Sequence, residues 1–276
     1  MKIDSHQHFW KLDRGDYAWL GPQLKVLYKD FLPDDLSPLL EAAGVDGTIL
    51  VQAAPTLEET EFLLSLAEQH PFIKGVVGWV DFASKMAPRD IEQLAVHPAM
   101  VGLRPMIQDT PDPNWMLRPE LTPAFEALIA SNLTFDALTG PMHLGNLRQL
   151  LEQHPDMRVV IDHGSKPGIR FGDFDDWARD MAALAEKTSA FCKFSGLVTE
   201  AAENWTLEDL QPYVDHLLRT FGPSRLMWGS DWPVCLLGSS YEHWLSTSGI
   251  LLRDICEADR AAIFGLNATR AYNLGT

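Results

Sequence analysis

The chain begins Met1-Lys2-Ile3-Asp4-Ser5-His6-Gln7-His8-Phe9-Trp10, and its architecture follows from these ten residues. Residues 2–8 read as a short strand with two histidines, two apart, at its end. A period of two turns both rings to one face, where they can share one ion or one substrate oxygen. Asp4 falls on that face one step deeper, and a structural acceptor for a backbone or ring nitrogen is its better reading. An export signal would need an apolar run here, so none is expected.

Seven further apolar or β-branched runs follow, at residues 47–53, 74–82, 100–107, 133–138, 158–163, 190–197 and 225–231. Their starts lie about 25 to 45 residues apart, near the roughly 31 expected when a ~250-residue barrel is divided into eight βα units. Helical patterns fill the intervals at 34–43, 56–70, 119–131, 143–153, 173–187, 206–221 and 241–258. In the second of these, Thr56 and Glu59 stand three apart as in a capping box, and Pro71 marks the end. Strand followed by helix means a parallel sheet. No GxGxxG or Walker loop follows an early strand, so the expected fold is α/β, a distorted (β/α)8 TIM barrel forming one domain over residues 1–276.

The 276 residues are 46% hydrophobic and 22% charged, enough for a full core. Lys and Arg number 22 against 38 Asp and Glu, a net charge of -16 that would repel a phosphate backbone. No nucleic-acid partner is therefore expected. No run reaches the ~18 apolar residues of a membrane span. Cys192, Cys235 and Cys256 are widely spaced and odd in number, which argues against a disulfide framework and for a reducing cytoplasm. Oligomerisation is left open.

Barrel chemistry collects at the C-terminal ends of strands. Those ends offer His6 and His8, then Gln52, Trp79 with Asp81, Arg104, Asp136, His163, Lys193 with Ser195, and Asp231 followed by Trp232. His163 closes an apolar run and meets a glycine, so it emerges into a loop, while Asp162 should face the other way and be structural. Asp231 is followed by Trp232-Pro233, which turns the chain, and its carboxylate is placed to act as a general base. Arg104 sits in a strand that otherwise reads as buried, so it needs a partner: substrate, or protein such as Asp136. For Lys193 a substrate contact and a barrel-internal salt bridge are equally open. The Pro-rich residues 110–123 form a long loop where a lid would sit.

These motifs are familiar together: Ile3-Asp4-Ser5-His6-Gln7-His8-Phe9-Trp10, Asp162-His163, Trp228-Gly229-Ser230-Asp231-Trp232-Pro233 and Phe264-Gly265-Leu266-Asn267-Ala268-Thr269. The chain resembles the amidohydrolase superfamily from its first strand to its C-terminus. Within that superfamily it is similar to the branch holding L-fuconolactone and L-rhamnonolactone hydrolases and the 2-pyrone-4,6-dicarboxylate lactonase. The resemblance implies a small-molecule lactone substrate, with His6, His8 and His163 as the imidazole cluster and Asp231 as the group that activates water. Gln52, Trp79, Arg104, Asp136, Lys193 and Trp232 are the expected substrate contacts.

Binuclear members supply a bridging ligand from strand four or five, where this chain has only Arg104 and Asp136. At most one divalent ion is expected, zinc suiting three imidazoles and a carboxylate best, and a metal-free reaction is equally open because an ester carbonyl is electrophilic. A dicarboxylate substrate would need several cations. Only Arg104 and Lys193 stand at strand ends, with Arg118 and Arg170 available from loops, so a neutral sugar lactone is the expected substrate. A metal-dependent decarboxylase of the same superfamily is the alternative.

Overall fold

The computed structural model describes residues 1–275. Eight parallel strands form one sheet in sequence order: β1 (Ile3–Gln7), β2 (Gly47–Val51), β3 (Ile73–Gly78), β4 (Met100–Leu103), β5 (Thr134–Ala137), β6 (Val159–Ile161), β7 (Phe191–Phe194) and β8 (Leu226–Trp228). Each strand is shorter than its apolar run, because the last residues of each run leave the ladder to enter the loops above it. The sheet closes where the chain just past β8 meets β1. Gln7 bridges Trp232, His8 N–H donates to the Trp232 carbonyl at 2.7 Å, and Asp231 N–H donates to the His6 carbonyl at 2.8 Å.

The seven expected helices are present, with shifted ends. Thr122–Ala130 begins after a short turn at Pro119–Leu121, and the pattern at 241–258 breaks into Tyr241–Leu251 and Glu257–Ala261. An additional helix, Ala87–Ala95, fills the interval between β3 and β4, and Asn267–Ala271 closes the chain. Thr56 caps Leu57–Gln69 by accepting from Glu59 N–H, but the Glu59 carboxylate does not return to Thr56, so only half of the capping box forms. Among the described residues no helix is long and apolar enough to cross a membrane.

Most of the apolar core lies between the strands and the helices around them. A second, smaller core fills the lower barrel with Ile3, Ile49, Val77, Val101, Val160 and Met227, plugged by Ala268, Ala271 and Tyr272. The apolar floor confines polar chemistry to the upper half of the barrel. The register of β1 shifts between Asp4 and Gln7, and this extra residue breaks the alternation. Asp4 consequently does not share the face of the imidazoles. It accepts from Ser230 N–H at 2.8 Å and His6 N–H at 3.2 Å, tying β1 to the loop after β8.

Candidate active site

Three strand ends bring the imidazoles and the carboxylate together. His8 Nε2 lies 3.1 Å from His6 Nε2 and 3.3 Å from Asp231 Oδ1. The same carboxylate oxygen is 3.7 Å from His6 Nε2 and 3.9 Å from His163 Nε2. All four side chains are buried. Each ring has a partner on its far side. His8 Nδ1 donates to the Val51 carbonyl at 2.7 Å, which leaves Nε2 facing inward, and His163 Nδ1 lies 2.9 Å from Ser195 Oγ. His6 Nδ1 stands between the Lys193 ammonium at 3.0 Å and Asp162 at 3.5 Å, so either tautomer finds a partner.

Backbone strain marks this site. His163, Gly164, Ser165 and Lys166 form a left-handed turn with φ of 54°, 57°, 58° and 51°, and Asp231 also has a φ of 58°. Non-glycine residues adopt this region only where surrounding contacts impose it. Here the Trp177 indole donates to the Gly164 carbonyl at 2.8 Å and Ser165 Oγ pairs with Thr139 Oγ1 at 2.9 Å. The turn also explains a departure from expectation. Val160 faces the barrel interior and Val159 and Ile161 the helices, so alternation turns Asp162 inward too, and the left-handed turn at His163 brings the imidazole back over the same side.

Asp162 belongs to a buried charge network. Lys193 Nζ has three donors and three acceptors: Asp136 Oδ2 at 2.6 Å, Asp162 Oδ1 at 2.9 Å and His6 Nδ1 at 3.0 Å. Tyr272 donates to Asp136 at 2.7 Å from below. Lys193 and Asp136, expected as substrate contacts, are therefore an internal pair with no exposure. Arg104 does not pair with Asp136. It reaches Asp162 at 3.4 Å and donates to the Gln52 carbonyl.

Burial and neighbours set the charges. Burial drives His6 well below the usual imidazole range, and Lys193 adds to this; burial also lowers His163 to about 4 against the pull of Asp231. Burial would raise Asp231, but His163 and His8 hold it below the usual carboxylate range. At neutral pH the site holds an ionised carboxylate among imidazoles of which His6 and His163 are neutral. For Asp162, burial is outweighed by Lys193, His6 and Arg104, whereas burial pushes Asp136 up to about 6.

A cavity of about 230 Å³ opens above the cluster. Asp231, His163, His8 and Arg104 form its reactive side. The rest comes from loops: Trp19 and Ala53 after β1 and β2, Met106, Gln108 and Asp109 after β4, Leu138 after β5, Lys166 after β6, Thr199 after β7 and Val234 after β8. Of the six expected substrate contacts only Arg104 reaches the lining; besides Lys193 and Asp136, three more are absent from it. Trp79 stands past the end of β3, where its backbone is held by Thr60. Trp232 packs its ring on Phe9 and Phe31. Gln52, just past β2, donates to the Arg104 carbonyl at 2.8 Å and so braces the end of β4, two strands away.

Asp81 is exposed and caps its own turn, Arg118 pairs with Asp112, and Arg170 holds the Thr199 and Glu200 carbonyls. Lys166, which the sequence reading passed over, is the loop cation that reaches the cavity, and it is paired with Glu200 at 3.3 Å. Its signal was available in His163-Gly164-Ser165-Lys166, directly after a strand-end histidine.

The donor set suits one divalent ion. His6, His163 and Asp231 offer ligand atoms within 4.8 Å of one another, with His8 Nε2 adjoining. Ligands about 2.0–2.1 Å from a tetrahedral zinc stand about 3.4 Å apart, and the Nε2 and Oδ1 separations given above bracket that value. Asp136, the strand-five carboxylate, is engaged by the Lys193 ammonium, which also holds His6 and Asp162.

The model for the amidohydrolase family matches residues 3–274. An L-fucono-1,5-lactonase of Burkholderia ambifaria is 43% identical over 99% of this chain and 96% of its own, and one of Burkholderia multivorans is 36% identical over the same shares. A crystal structure of an amidohydrolase from Burkholderia multivorans with bound zinc superposes with a TM-score of 0.94 at 34% identity over all of both chains.

Proposed function

The chain belongs to the amidohydrolase family, and from that premise we propose that it is a carboxylic ester hydrolase that opens a sugar lactone, L-fucono-1,5-lactone or a close relative, to the aldonic acid. The observation that carries this reading is Asp231: an ionised carboxylate on a strained left-handed residue, ringed by imidazoles beneath a cavity of about 230 Å³. The volume suits a single sugar ring. The 43% identical L-fucono-1,5-lactonase supports the substrate class.

The chemistry follows from the groups present. Asp231 takes a proton from the water that attacks the lactone carbonyl, and the protonated carboxyl then delivers it to the departing ring oxygen. Negative charge on the former carbonyl oxygen is met by Arg104, held rigidly by Gln52 and Asp162, and by imidazole N–H groups. Lys193 and Ser195 act one layer further out, fixing His6 and His163. His6, His8, His163 and Asp231 would hold a divalent ion, which when bound supplies Lewis acidity at the carbonyl.

Charge supports a neutral substrate. The cations that reach the cavity, Arg104 and Lys166, are already paired with Asp162 and Glu200, and Asp109 adds an acidic group to the lining. No pair of free cations is left to hold two carboxylates. The test is a panel: acid release from aldonolactones, acid release from a pyrone dicarboxylate lactone, and carbon dioxide from aromatic acids. Preferential turnover of a neutral aldonolactone is expected. A higher kcat/KM for the dicarboxylate, or carbon dioxide release, would overturn the assignment.

A further inference from the structure

Just past β2 the backbone becomes a fixture for the cavity. The Val51 carbonyl accepts from His8 Nδ1, the Gln52 carbonyl from the Arg104 guanidinium, and the Ala53 carbonyl from the Trp19 indole at 2.8 Å. Three successive carbonyls thus aim three side chains that line the cavity. The ladder stops at Gln52, whose N–H still donates to the Val77 carbonyl, so the next two N–H groups need another partner.

Glu59 is that partner. Its carboxylate accepts from Ala53 N–H at 2.9 and 3.2 Å and from Ala54 N–H at 3.0 Å. The side chain is entirely buried, an expensive place for a carboxylate, and an apolar residue of similar volume would satisfy packing alone. What an apolar residue could not supply is the grip on both N–H groups at once: Oε2 accepts from Ala53 and Ala54, and Oε1 accepts from Ala53 as well.

We propose that Glu59 is a positioning residue of the active site: its two-point hold on Ala53 and Ala54 fixes the backbone that directs His8, Arg104 and Trp19. It touches no substrate, and the inference rests on reading this cavity as the lactone-opening site. Displacing the orienting carbonyls by a fraction of an ångström would misdirect the groups around the carbonyl.

Two variants test it. Glu59→Gln keeps the shape but turns one acceptor into a donor facing an N–H, and Glu59→Asp is too short to span both groups. Circular dichroism first establishes a temperature at which wild type and variant are fully folded, so that loss of stability cannot mimic loss of rate. There kcat/KM on the lactone should fall by about ten-fold or more in both variants. Acrylamide quenching of Trp19, read as the difference between each protein and its Trp19→Phe counterpart, should rise. If Glu59→Asp fails to fold, Glu59→Gln decides. Folded Glu59→Gln with kcat and KM within about two-fold of wild type overturns the proposal. Should wild type open no lactone, the functional reading fails on its own, and Trp19 quenching then decides: increased access upholds the positioning role and unchanged access refutes it.

Discussion

Lys193→Met removes the cation at the centre of the barrel while leaving a chain of similar length in its place. In the wild type, three ammonium protons meet three acceptors, two of them carboxylates with no exposure. Without the cation, Asp136 keeps only the Tyr272 hydroxyl, and Asp162 keeps Arg104 at 3.4 Å and His6 Nδ1 at 3.5 Å. Removing one partner of a buried ion pair costs about 3–5 kcal/mol. At about 2 °C per kcal/mol for a chain of this length, the melting temperature at pH 8 should drop by roughly 6–10 °C.

The pH dependence has a definite sign. Losing Lys193 raises the folded-state values of both carboxylates, and an acid whose folded value lies above its unfolded one destabilises as pH rises through that interval. Asp136 is already pushed up to about 6 by burial. The deficit should therefore shrink at pH 5.5, where protonation relieves the unpaired charge, and be complete at pH 8. Thermal melts at the two pH values measure it. A drop of under about 2 °C at pH 8, or a deficit equal at both pH values, would refute the electrostatic account.

Two further outcomes are expected. Burial pushes Glu59 up to about 7 from 4.5, so its contribution to stability is present below pH 4.5 and lost as pH rises through 7, a fall of about 3 kcal/mol. Denaturant melts of wild type against Glu59→Gln across that range should show this fall only in wild type, leaving the variant at least as stable at pH 8 despite its lower activity. Elemental analysis of the purified protein should find no more than one tightly held divalent ion per chain, and two would require a bridging ligand where Lys193 and Asp136 already pair.

The barrel was legible because each βα unit writes its own apolar run and its own stop, and because the chemistry stands where those runs end. His6, His8, His163 and Asp231 were read as candidates in this way, and the structure brings the four side chains together. Lys193 facing the interior also followed from alternation, but its partners did not, since pairing across the barrel depends on where each neighbouring strand stops. Asp162 was placed outward because His163 was taken to follow the strand's alternation; Asp162 is in phase with the inward Val160, and a left-handed turn, which leaves no periodic signal, is what carries His163 inward. A bulge in β1 moved Asp4 off the imidazole face. Trp79 lay beyond a strand that ended at Gly78. Trp19, Gln108 and Lys166 come from loops, whose paths are set by single hydrogen bonds such as Trp19 to Ala53 and carry no periodicity to read.

The measurement that bears most directly on the account is the turnover of Asp231→Asn on L-fucono-1,5-lactone, with the variant shown to be folded by circular dichroism. Asn keeps the side chain's shape and removes its capacity to take a proton. The account predicts a fall in kcat of at least about 10²-fold with the fold intact. Turnover near the wild-type rate would contradict it and remove Asp231 from the chemistry.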